Sequence, residues 1–264
     1  MKNMSITLNT QPIRFFNRTD YGLFYIIKFM KFILAFLSFF LFSRALAADK
    51  LTLMTEDSCK IAAAENIVST ASYVALEIHG LGSTKEEWDK FNSYLSKENI
   101  GWLALDLRGH GESRECGGKP VNYESFTPAD WPGITKDVSA GYRRLLEKFP
   151  PSKIVFAGAS IGANASLIRG SRSKSRKLLL LSPGLNYAGL ETRDALERAR
   201  QNVLIVSSEN DEYASFSADV FKTICEKKKL RCSFLRAGKG HGVQIFDGKE
   251  APDLAKKITD WIKK

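Results

Sequence analysis

From Lys50 onward, short apolar runs rich in β-branched residues alternate with stretches of helical periodicity. The apolar runs predict strands at 51–54, 60–63, 73–78, 102–106, 154–157, 177–182, 203–207 and 232–235. The stretches between them predict helices at 84–97, 134–149, 163–169, 192–200, 215–229 and 252–263. The later strands are unbroken, as in Leu178-Leu179-Leu180-Leu181 and Val203-Leu204-Ile205-Val206, the pattern of strands covered on both faces. Strand and helix alternate throughout, which implies one α/β domain over 48–264 with a mostly parallel sheet. No internal repeat or low-complexity linker interrupts it.

The segment before this domain has a different pattern. Met30-Lys31 precedes an unbroken apolar run, Phe32 to Phe42, followed by Ser43-Arg44 and the small-residue site Ala45-Leu46-Ala47. A basic start, an apolar stretch and an A-x-A site predict a signal peptide cleaved after Ala47, and hence a periplasmic or secreted protein. The residues before Met30 would then be a long basic extension or follow from an early start codon. The alternative is a membrane anchor over 21–42, in which Lys28 and Lys31 would be costly to insert. Membrane contact is expected only through this segment, if it stays uncleaved.

Charge changes the picture little. The 264 residues carry a net charge of +10, and half of it lies within residues 1–47, where six Lys and Arg face Asp20 alone. The remainder is only modestly basic, which with export argues against a nucleic-acid partner. The basic cluster Glu226–Arg231 ends a predicted helix, where cations are favoured by the dipole. Cys59, Cys116, Cys225 and Cys232 form an even set in an exported chain, which favours disulfides. None has C-x-x-C spacing, and three scattered His give a metal cluster little support. A G-x-x-x-x-G-K-[ST] run is absent and no G-x-G-x-x-G opens a helix, so nucleotide binding is not indicated.

The chemistry is concentrated at Gly158-Ala159-Ser160-Ile161-Gly162, where a buried strand runs into G-x-S-x-G and a helical pattern follows. A sharp strand-to-helix turn lifts the serine hydroxyl above the sheet, and glycines give room where β-carbons would clash. A plain βα turn with Ser160 as helix cap is the simpler alternative. Downstream, Val203–Ser207 leads to Glu209 and Asp211, and His241 stands in the glycine-rich loop Gly238-Lys239-Gly240-His241-Gly242. Nucleophile, acid and histidine thus occur in the order this architecture requires. Ser160 needs a base, His241 can relay its proton, and Asp211, with Glu209 as its rival, can fix the imidazole tautomer. The strand 73–78 ends in His79-Gly80-Leu81-Gly82, whose backbone can supply an oxyanion donor. Leu81 N–H and Ile161 N–H are the expected pair, with His79 and His110 structural.

With these residues in view, the chain resembles the α/β-hydrolase fold superfamily, near its serine aminopeptidase, monoacylglycerol lipase and lysophospholipase-like branch. The resemblance rests on His79–Gly82, Asp106–Ser113, Gly158–Gly162, Asp211 and His241, and spans nearly all of 50–264. It implies a three-layer sandwich with an eight-stranded sheet in the order 1-2-4-3-5-6-7-8, strand 2 antiparallel. It also implies Ser160, Asp211 and His241 as triad, Leu81 and Ile161 as oxyanion donors, and no metal or organic cofactor. Many relatives carry a large helical lid after the sixth strand; here Ser182 to Val203 leaves room for about one helix. A minimal lid implies a shallow site suited to short or medium acyl esters, or to acyl groups exposed on larger molecules. The implied topology would set Cys59 beside Cys116 and leave Cys225 with Cys232, free thiols being the alternative. The expected activity is that of an exported serine esterase acting on a small-molecule or lipid-like acyl substrate. A peptidase or thioesterase would use the same triad, and a catalytically silent binding module would need none of it. The sequence does not indicate an oligomeric state.

Overall fold

The computed structural model describes residues 48–264; the expected signal peptide, its cleavage after Ala47 and the alternative anchor over 21–42 lie outside the described residues. The first half of the domain contains β1 (Asp49–Met54), β2 (Cys59–Asn66), β3 (Tyr73–Ile78), α1 (Asp89–Lys97), β4 (Ile100–Leu105), β5 (Glu115–Cys116), β6 (Lys119–Pro120) and α2 (Ile134–Leu146). The second half contains β7 (Ile154–Ala159), α3 (Ile161–Gly170), β8 (Lys177–Leu181), β9 (Asn186–Tyr187), β10 (Leu190–Glu191), α4 (Arg193–Arg198), β11 (Asn202–Ser208), α5 (Glu212–Lys228), β12 (Cys232–Ala237) and α6 (Ala251–Lys263).

The eight expected strands are present in the expected order, β1-β2-β4-β3-β7-β8-β11-β12, with β2 antiparallel to both neighbours and the later pairs parallel. The sheet is wider than expected: the short hairpin β5–β6 pairs with the start of β2 and brings the total to ten strands. Two-residue strands leave no periodic signal in sequence, so only pairing reveals them.

Period-two alternation sends successive side chains into two separate cores. Leu76, Phe156, Leu178 and Leu180 face α2, α3 and α5, while Ala75, Val155, Leu179 and Leu181 face α1 and α6. Both faces are therefore dry, which is why the central strands read as continuous apolar runs. The layers place the carboxyl ends of β3, β7, β8, β11 and β12 along one rim. Loops leaving that rim are where an open α/β sheet offers a binding crevice.

Two disulfides are formed. Cys59 and Cys116 are direct register partners of β2 and β5, and Cys225 is joined to Cys232 across the α5–β12 connection with Cα atoms 6.2 Å apart. The segment after β8 differs from the single helix expected at 192–200. It forms the hairpin β9–β10 before the six-residue α4, because Ala188 (φ 50°) and Gly189 (φ 86°) both adopt the left-handed region. That pair makes a two-residue turn whose twist matches the flanking strands.

Candidate active site

Ser160 lies between β7 and α3, with its backbone at φ 55° and ψ −122°, a conformation that costs free energy for any residue with a β-carbon. The flanking glycines make the turn possible. A β-carbon on Gly158 would stand 2.2 Å from Gly162 O, and one on Gly162 only 2.3 Å from Ile78 O. Ser160 N–H donates to Leu181 O at 2.9 Å, which ties the turn to β8. Ile161 opens α3, so its N–H has no acceptor within the helix.

The loop after β3 approaches Ser160 from the other side. A β-carbon on Gly80 would lie 3.5 Å from Ser160 Cβ. Leu81 and Gly82 are the central residues of a turn closed by Ser83 N–H donating to Gly80 O, with Gly82 at φ 74°. Glu87 braces this loop: its Oε1 accepts from Gly80 N–H at 2.8 Å, and burial pushes its carboxyl above the usual range.

His79 takes a structural position beneath the loop. Its Nδ1 donates to Gly80 O at 2.6 Å and its Nε2 accepts from Leu107 N–H at 2.9 Å, so the ring is neutral with a defined tautomer. Burial pushes its pKa down to about 4. His110 is also buried; its ring packs between His79 and Tyr123, with centroid distances of 4.9 and 4.0 Å. Neither histidine lines the cavity above Ser160.

At the far end of the rim, His241 Nδ1 meets Asp211 Oδ2 at 2.6 Å. Asp211 also caps α5, its Oδ1 accepting from Ala214 N–H at 3.4 Å. Glu209, the rival acid, is exposed at the end of the strand. The histidine loop is fixed from below by side chains that the sequence did not single out. Ser182 Oγ accepts from Gly242 N–H at 2.9 Å, and Asn210 Oδ1 accepts from Gly240 N–H at 3.1 Å.

Leu81, Ser160, Ile161 and His241 open into one cavity of about 560 Å³. Tyr187, on the β9–β10 hairpin, forms another part of its wall and was not singled out from sequence. Its ring stands edge-on to that of His241, with centroids 6.3 Å apart at 87°. Only the spacing to a positive-φ turn could have flagged it, and Ala188 conceals that signal. Among the described residues, no group of three or more His, Cys, Asp or Glu could hold a metal ion.

Ser160 on a strained strand-to-helix turn and His241, paired with Asp211, thus open into one cavity at the carboxyl end of a mostly parallel sheet. Residues 78–250 match the model of the alpha/beta hydrolase family, and the chain belongs to that family. Solved structures agree on the fold. The Pyrococcus furiosus esterase Pf2001 is 16% identical, with 82% of this chain and 90% of that chain covered at a TM-score of 0.66. The esterase from Exiguobacterium antarcticum is 13% identical over 82% of this chain and 100% of that one, with a TM-score of 0.64. Dienelactone hydrolase from Anabaena variabilis is 14% identical over 81% and 95%, with a TM-score of 0.62. No curated protein matches the sequence. At these identities the likeness is one of fold.

Proposed function

We propose that this protein is an exported serine hydrolase that cleaves short or medium acyl carboxylic esters through an acyl-Ser160 intermediate. The observation that carries this reading is the convergence of Ser160 and the Asp211–His241 pair, joined at 2.6 Å, on one cavity. In the reaction, Ser160 Oγ attacks the ester carbonyl while His241 takes its proton. Asp211 holds the imidazole tautomer and stabilises the imidazolium. Leu81 N–H and Ile161 N–H receive the oxyanion, where one such donor is typically worth about 10²–10³ in kcat. His241 returns the proton to the departing alcohol, and water then attacks the acyl-enzyme by the same route.

The cavity roof is a short hairpin rather than a helical domain, which favours compact acyl groups or acyl groups protruding from larger molecules. Among family branches, this reading places the protein nearest the serine aminopeptidase and lysophospholipase-like members. Two disulfides are consistent with an oxidising compartment, and no helix of the described residues is long and apolar enough to cross a membrane.

A fluorophosphonate probe tests the reading without a choice of substrate. The purified chain is expected to be labelled at Ser160, as mapped by mass spectrometry, with all labelling lost in Ser160→Ala. A folded Ser160→Ala variant that retains ester turnover would overturn it.

A further inference from the structure

Tyr187 is built into the site more firmly than its hairpin position suggests. The Tyr213 hydroxyl bonds both the N–H and the C=O of Asn186, each at 3.0 Å, and so anchors the strand that carries Tyr187. The Asn164 side chain donates to Leu190 O at 2.8 Å and accepts from Gly184 N–H at 3.0 Å, binding both ends of the hairpin segment. Asn164 belongs to α3, the helix that Ser160 caps, so Ser160 and Tyr187 are referred to a single rigid element. Gly184 passes directly under the ring, where a β-carbon would lie 2.6 Å from Tyr187 Cε2. The Tyr187 hydroxyl donates to Ser182 O at 3.4 Å, and the residue lines the cavity into which Ser160 opens. Burial, reinforced by the Asp211 carboxylate, keeps that phenol protonated and therefore a donor.

The direction of the reaction indicates what this donor meets. The carbonyl oxygen turns toward Leu81 N–H and Ile161 N–H, and the alcohol oxygen must turn toward His241 to receive its proton. Tyr187 packs against His241 on the wall of the cavity that Ser160 opens into, so it stands on the alcohol side. We propose that Tyr187 is a further catalytic residue that donates a hydrogen bond to the departing alcohol oxygen, an inference that rests on the serine-hydrolase reading above. As the acyl C–O bond breaks, its electron pair passes to that oxygen. His241 supplies the proton, and Tyr187 keeps its own while stabilising the developing alkoxide.

Two ester series with the same acyl group test this: p-nitrophenyl esters, whose leaving group needs little help, and simple alkyl esters, whose leaving group needs much. Tyr187→Phe keeps the ring and its packing, and an unchanged Tm verifies the fold. Its kcat on alkyl esters is expected to fall about tenfold or more, with p-nitrophenyl ester turnover nearly unchanged. Fluorophosphonate labelling of Ser160 should persist in the variant, since the probe's leaving group departs readily. An equal loss on both series, or no loss, would overturn the role of Tyr187 and leave the serine hydrolase intact. A wild-type chain that neither labels nor turns over either series would overturn the underlying reading, and this inference with it.

Discussion

Glu209 and Asp211 stand two residues apart, but only Asp211 is turned toward His241, because it doubles as the cap of α5. Asp211→Asn should therefore lower kcat by about 10⁴, the loss expected when the imidazole tautomer is no longer fixed. Glu209→Gln should leave ester hydrolysis unchanged, and steady-state kinetics on both variants ranks the two acids. His79 gives a second prediction at this scale. Its folded pKa of about 4 lies below the unfolded value near 6.5, so between these values the unfolded chain binds the extra proton. Stability from this residue is complete above pH 6.5 and is lost progressively as the pH falls toward 4, by about 3 kcal/mol. Thermal unfolding across that interval measures it. Ser160, Asp211 and His241 could be picked out from sequence because the elbow constrains the neighbours of Ser160 and chain order constrains the others. Tyr187, Ser182 and Asn210 could not, since each acts through a loop geometry that leaves no fixed spacing.

Elements succeed or fail here by how closely their backbones approach. Gly162→Ala would drive a β-carbon into the carbonyl end of β3, shifting α3 and Ser160 with it. Loss of fluorophosphonate reactivity together with a lower Tm is the expected result. Beneath α1, Glu77 is fully buried on β3, and the Asn92 amide approaches it without a well-formed hydrogen bond. Burial raises its pKa well above the usual value, so folding favours the neutral carboxyl over the carboxylate. Stability from this position falls as the pH rises past about 4.5. Glu77→Gln keeps the neutral shape without the ionisation, and at pH 7 should raise Tm by about 2–4 °C, the shift that 1 kcal/mol produces in a domain this size. Strand identities were legible because two dry faces demand apolar runs. The hairpin β9–β10 was not, because its turn uses alanine where glycine or asparagine would have signalled it.

Over the whole molecule, the disulfides close loops of very different length, 57 and 7 residues. Restriction of the unfolded chain then predicts about 4 kcal/mol for Cys59–Cys116 and about 2 kcal/mol for Cys225–Cys232. Paired Cys→Ser variants compared by denaturant unfolding check that ranking. The topology that the sequence implied was sufficient to bring Cys59 beside Cys116, since antiparallel pairing at the β2 edge determines it. The turn at Ala188–Gly189 has a different consequence. It lies at the roof of the site, a β-carbon on its glycine would meet no neighbouring atoms, and the segment on either side is pinned to α3. Chain spliced between those two residues would hang over the cavity while leaving the machinery below undisturbed. The protein thus offers a ready socket: the cavity could be adapted to bulkier ligands by lengthening a single loop.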